Sequence, residues 1–265
     1  MAFIIIVISF LASVIGAVCG IGGGIIIKPA VDAFSPLGVE TVSFLSGLTV
    51  LCMAAYSVVQ TSRSKEGRIK LNTALPVSIG AAAGGITGNQ LFRLLRSSYA
   101  DAAGPVQAAC LFLLTFLTLV YTVYKHKIRT HSFTNSFGCA FAGLFLGVFS
   151  SLLGIGGGPF NLVLLSFLFS MKAKEAAQNS LFIILCSQFS NLLAAIITGT
   201  VPAFNPVLLI GMVSAGVTGA ESGRRLNRKL DDRAVDTLFR GLTIVIMALC
   251  VYNFFQYMGN AGNTV

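Results

Sequence analysis

The chain has 265 residues, of which 55% are hydrophobic and only 10% charged, with a formal net charge of +9. Soluble globular chains are roughly 25% charged, so a mean hydropathy of +0.85 excludes an ordinary water-soluble domain and makes a bilayer the solvent. The basic excess sits in short loops between apolar runs, which argues against a nucleic-acid surface and reads as membrane topology.

Long apolar segments run at 2–19, 39–60, 73–92, 105–124, 135–153, 176–198, 206–222 and 237–257. Each is close to the ~20 residues that cross a bilayer as a helix. They show no two-residue alternation, so an all-α polytopic membrane protein is predicted rather than a barrel. The first segment has no basic stretch before it and has a counterpart in mid-chain, so it reads as part of the fold and not as a signal peptide. Two shorter apolar segments, 22–34 and 155–171, accompany the pentapeptide GIGGG, which occurs at 20–24 and again 134 positions later at 154–158.

The pentapeptide is part of a longer repeat. The stretch FLASVIGAVCGIGGGIII from Phe10 parallels FAGLFLGVFSSLLGIGGGPF from Phe141, and IGAAAGGITG from Ile79 parallels IGMVSAGVTG from Ile210. Ser46 in SFLSGLTVL pairs with Ser180 in AQNSLFIIL. The reading is one transmembrane domain of two repeats, 1–130 and 131–265, joined at the basic loop KHKIRTHS. Each repeat holds a glycine-broken hairpin and three transmembrane helices.

Charge decides how the repeats are oriented. If each GIGGG only kinks a continuous helix, the repeats are parallel, and the five basic residues of RRLNRKLDDR fall outside while the other basic loops are inside. If each GIGGG is instead a hairpin tip, the repeats are inverted and 14 of the 18 Lys and Arg lie in inside loops. The positive-inside bias favours inversion. Inverted repeats with broken helices are an architecture of secondary transporters, which bind substrate near the midplane.

The glycines suggest a chemistry. A glycine turn opening a helix presents bare N–H groups and the positive end of the helix dipole, and with no Cβ an anion can approach closely. Gly20, Gly22, Gly23 and Gly24, with Gly154, Gly156, Gly157 and Gly158, are therefore candidate substrate-binding residues. Close helix crossing is the competing use of such glycines, and it is the expected one for Gly80, Gly84, Gly88, Gly143 and Gly147. Lys28, inside a short apolar segment, is a candidate anion ligand, with snorkelling to an interface as its alternative. Ser46, Asn179, Ser180, Gln188 and Asn191 are polar positions in apolar helices that could line the path, against the alternative of internal back-bonding. Asp32 and Glu221 are candidate carriers for proton or ion coupling, or simply edge residues.

Other chemistries find no support. Neither GIGGG continues as GxGxxG, and no P-loop lysine follows. The six cysteines are all in apolar segments without CxxC spacing and read as small fillers. His126 and His131 lie in the basic linker. No metal or cofactor is expected, and no catalytic set marks an enzyme.

The duplicated GxGGG, the NSL after Gln178, the glycine-rich helices ending near Arg93 and Arg224, and the final LFRGL helix resemble the sulfite exporter TauE/SafE family over the full chain. The resemblance implies a multi-pass cell-membrane transporter of small anions, often sulfur-containing, such as sulfite and organosulfonates. Lys28 departs from the family pattern, in which an apolar residue commonly precedes the proline; that departure bears on substrate choice more than on fold. The expectation is a secondary transporter working by alternating access on a small anionic substrate within the lipid bilayer, with an anion channel as the alternative.

Overall fold

The computed structural model describes residues 2–35, 37–63, 69–98, 100–125, 135–153 and 158–261. Within them the regular structure is helical: α1 (Ala2–Cys19), α2 (Gly24–Phe34), α3 (Val39–Arg63), α4 (Leu71–Ser98), α5 (Ala100–Tyr124), α6 (Ser136–Leu153), α7 (Gly158–Phe169), α8 (Ala173–Ile197), α9 (Pro206–Lys229) and α10 (Asp232–Ala261). Residues 64–68 and 126–134, which carry much of the basic-loop argument, lie outside the described residues.

Six helices, α1, α3, α5, α6, α8 and α10, are long and apolar enough to cross a membrane. α4 and α9 have 28 and 24 residues, about 42 and 36 Å at 1.5 Å per residue, which exceeds the ~30 Å hydrocarbon thickness. Their runs of Gly, Ala, Ser and Thr make them less apolar than the other six. α2 and α7, by contrast, have only 11 and 12 residues, about 16–18 Å, and neither can cross alone.

The distribution of side chains is that of a membrane protein. Phe137, Val207, Ile197 and Phe3 are each more than three-quarters exposed, while Ser9, Ser13, Thr49, Asn179 and Ser180 are fully buried. In water such an apolar exterior would drive aggregation; against acyl chains it costs nothing. Several buried hydroxyls satisfy themselves on the carbonyl one turn back, as Thr49 does on Leu45 at 2.8 Å and Thr115 on Leu111 at 2.7 Å.

Helix pairing follows a pattern. α1 lies on α9 and α6 on α4; α3 meets α9 and α8 meets α4; α2 meets α10 and α7 meets α5; α3 meets α8 and α5 meets α10. Exchanging the first five helices for the last five maps this set of pairs onto itself.

The glycines with small-xxx-small spacing make the closest of these contacts. A Cβ on Gly80, Gly84 or Gly88 of α4 would fall against the carbonyls of Ala140, Leu144 and Val148 on α6, and one on Gly143 or Gly147 against Val77 and Ala81 on α4. On the other pair, Gly219 and Gly223 of α9 lie on Phe10 and Val14 of α1. Without a hydrophobic drive between helices in lipid, such backbone proximity supplies the van der Waals contact that holds them.

Candidate functional site

α1 stops at Cys19 because the next residues leave helical space. Gly20, Gly22 and Gly23 have φ of 74°, 74° and 58°, a left-handed run that L side chains adopt only with strain. The Ile21 and Gly22 N–H groups both donate to the Gly16 carbonyl, at 3.0 and 3.4 Å, and fold the chain back along α1. Gly23 is the N-cap of α2, its carbonyl accepting from Ile26 and Ile27 at 3.0 and 2.9 Å. No side chain caps α2, so the positive end of its dipole is balanced by the turn's own backbone or by a bound group.

The tip is wedged deep in the protein. Gly20 lies against Ala177 of α8, Gly22 against Val50 and Ile184, and Gly23 against the Ala12 carbonyl and Met53. Ile21 and Ile25 are essentially unexposed. Gly158, the first residue of α7, lies against the Ile21 carbonyl, so the start of the second broken hairpin meets the tip of the first. Gly154, Gly156 and Gly157 lie outside the described residues.

Lys28 is 4% exposed, so it does not snorkel to an interface. Its Nζ donates to the Leu153 carbonyl at 3.2 Å, the last residue of α6, where helix carbonyls lack partners and the dipole is negative. The neighbouring Leu152 carbonyl accepts from Gln107 Nε2 at 3.0 Å, and near the end of α1 the Val18 carbonyl accepts from Asn227 Nδ2 at 2.6 Å. Both helices that lead into a GIGGG thus have terminal carbonyls satisfied by a donor from elsewhere in the chain. On α2 itself the Pro29 carbonyl accepts from Asn253 Nδ2 of α10 at 3.1 Å.

The polar candidates separate into four groups. Ser46 back-bonds to Ser43 at 3.1 Å. Asn179 accepts the Lys70 N–H at 2.9 Å and donates to Glu175 at 2.8 Å, beside a 2.7 Å ion pair between Lys70 and Glu175, so it fastens the start of α4 to α8. Ser180 is fully buried, and its hydroxyl has no hydrogen-bond partner among the described residues.

Gln188 and Asn191 do meet. Asn191 Nδ2 donates to Gln188 Oε1 and to Ser151 Oγ, both at 3.3 Å, and the cluster borders Gly85 and Gly47, where the absence of side chains leaves room for it. Glu221 is held by Arg224, Arg225 and Tyr56 and belongs to an ion cluster at the basic end of α9.

Sequence reasoning missed a cleft at that end. It is lined by Ser57 and Thr61 of α3, Gln178 of α8, and Arg224, Asn227 and Arg228 of α9, together with the apolar Ala17, Ala177 and Leu181. Ala177 is the residue that Gly20 touches, so the cleft ends beside the glycine tip. The spacing of Arg224, Asn227 and Arg228 at i, i+3 and i+4, continuing the glycine face that lies on α1, was the available signal; their charge had been absorbed into the topology argument.

Among the described residues, helices only, six of them long and apolar enough to cross a membrane, with an apolar exterior and buried serines, threonines and asparagines set in an apolar core, define a multi-pass membrane protein. The chain belongs to the sulfite exporter TauE/SafE family, whose model matches residues 5–251. Among curated proteins it is similar to the "Probable membrane transporter protein YunE" of Bacillus subtilis (strain 168), 24% identical over 278 residues, which cover 95% of this chain and 98% of that one. No solved structure matches the chain significantly.

Proposed function

We propose that this membrane transporter is a secondary carrier that moves a small anion, a sulfur oxyanion or an organosulfonate, by alternating access. The observation that carries the proposal is the first glycine tip: three left-handed glycines open an uncapped helix N-terminus in the protein interior, against the start of the second broken hairpin. The positive end of a helix dipole in the protein interior, with no side chain capping it, suits an anion. The interchangeable helix pairing supports two repeats, 1–130 and 131–265, and the distribution of basic loops supports their inversion. Lys28, Ser180, Gln188 and Asn191 add polar groups along the interior; Ser46 and Asn179 contribute to helix geometry.

The test is uptake of sulfite, thiosulfate, sulfonates and sulfate into liposomes holding the purified protein, with and without a pH gradient. Accumulation against a gradient, lost when the driving ion gradient is collapsed, is expected. A steady voltage-driven current with no accumulation would make the protein a channel, and no flux of any anion would overturn the proposal.

A further inference from the structure

We infer that the cleft at the basic end of α9 is a binding site for one small oxyanion, a station from which the glycine tip is loaded. Its role in transport rests on the carrier reading, but its existence as a site does not.

Four observations point to it. The first is size: the cavity is about 50 Å³, and a water needs ~10–15 Å³ measured in this way. That leaves room for about four non-hydrogen atoms, which fits a sulfite-sized anion and excludes a nucleotide.

The second is charge. Arg224 and Arg228 line the cleft, and no carboxylate is among its described lining residues. The nearby Glu221 carboxylate holds Arg224 through Nε and Nη2, both at 3.0 Å, and also takes Arg225 Nε at 2.6 Å. Shared with Arg225, that carboxylate fixes the Arg224 fork in place without consuming all of its five donors.

The third is an unmet polar group. Ser57 is 3% exposed, and its hydroxyl has no hydrogen-bond partner among the described residues. Several buried hydroxyls bond back to their own helix; those of Ser13, Ser57 and Ser180 have no partner among the described residues, and of these three Ser57 lines the basic cleft. A buried hydroxyl left in this state is costly unless a ligand or water meets it.

The fourth is position. Ala17 and Ala177 line the cleft, and Gly20 rests on Ala177 with no room for a side chain between them. An anion beside Ala177 is one residue away from the first glycine turn. Gln178, next to Ala177, brings a carboxamide that can donate to an oxyanion's remaining oxygen.

A lipid phosphate offers the same chemistry as a free oxyanion, so the experiment has two arms. Equilibrium binding of radiolabelled sulfite is measured with the full chain in phosphatidylcholine vesicles, with and without added phosphatidylglycerol, for the wild type, Ser57→Val, Arg228→Gln and Ser9→Ala. Ser9 is a buried hydroxyl of α1, bonded to Ile5, and serves as the control.

The expected result is saturable wild-type binding that weakens with salt. Loss of a hydrogen bond to a charged group raises Kd about tenfold or more in Ser57→Val and in Arg228→Gln, and Ser9→Ala leaves it unchanged. Arg228 is exposed, so its variant folds even if Ser57→Val does not. Competition by phosphatidylglycerol, relieved in the variants, would keep the oxyanion site and assign it to headgroups; no competition assigns it to soluble anions. Absence of wild-type binding, or unchanged Kd in both cleft variants, overturns the inference. Sulfite binding without uptake overturns the carrier reading alone; uptake with unchanged Kd in both variants overturns the cleft alone.

Discussion

Replacing Gly23 by Ala is the sharpest test of the glycine tip. At φ 58° a Cβ costs about 1–2 kcal/mol of backbone strain. The new methyl points at the Ala12 carbonyl oxygen, 3.2 Å away, with Met53 Sδ at 3.5 Å. That contact is tight, and a shift of a few tenths of an ångström relieves it. The methyl therefore does not obstruct an anion directly. It pushes the turn away from α1, and the Gly23 carbonyl on which Ile26 and Ile27 hang moves with it, so the first turn of α2 is re-aimed. Loss of one aligned N–H to a charged ligand costs roughly 1.5–3 kcal/mol, about ten- to a hundredfold in affinity. Gly84→Ala is the opposite case. Gly84 is helical, so Ala adds about 1 kcal/mol of propensity, but its Cβ falls on the Leu144 backbone, which cannot swing away. α4 and α6 must separate, with an overpacking cost of about 1–3 kcal/mol or more. The assay is anion uptake per folded molecule, with the melting temperature in detergent measured alongside. Gly23→Ala is expected to lose transport well beyond its modest loss of stability, and Gly84→Ala to lose both in step. Normal uptake per folded molecule by Gly23→Ala refutes the reasoning and returns GIGGG to helix packing.

Lys28→Met is expected to weaken sulfite affinity while the protein remains folded, since a buried ammonium attracts an anion far more than a solvated one. An unchanged Kd with a lowered melting temperature would make Lys28 only a cap on the Leu153 carbonyl. Asn179→Ala removes the acceptor for the Lys70 N–H and is expected to cost about 1 kcal/mol of stability with little change in Kd; a large rise in Kd at unchanged stability would return Asn179 to the substrate path. Single cysteines placed at 67, 128 and 228 in a cysteine-free background are all expected to resist an impermeant thiol reagent on intact cells and to react once the cells are opened. Labelling at 228 but not at 67 would break the inverted arrangement.

Much of the fold was legible because a bilayer enforces it. Eight long runs near ~20 residues became α1, α3, α4, α5, α6, α8, α9 and α10, and the two short runs after GIGGG became α2 and α7. Helix boundaries followed from glycine and charge: Gly20 ends α1, α3 ends at Arg63 and α9 at Lys229. Side-chain partners were not legible. Asn179 and Gln188 are both polar residues in α8, nine positions apart, and nothing local distinguishes them. One clasps the backbone at Lys70 and the other joins Asn191 and Ser151. The difference comes from which helix crosses at which height, which a single sequence does not state. Lys28 was readable as unusual, but its partner lies 125 residues away.

The same crossing pattern bears on how such a protein could move. α1 is held less by its own neighbours in sequence than by α9, and α6 less by α7 than by α4. Each broken hairpin therefore has one arm fixed to a helix from the other set of five, through glycine contacts too close to slide. Its short arm, α2 or α7, lies instead on α10 or α5. A relative rotation of the two groups would pull on the turns between the arms, which are the GIGGG segments. At the first turn the left-handed glycines can absorb φ changes that other residues resist. The capped carbonyls at Val18, Leu152 and Leu153 would be the contacts to break. Weakening the Leu152 cap, as in Gln107→Ala, should therefore alter the rate of transport more than anion affinity, whereas altering the tip glycines should change affinity first.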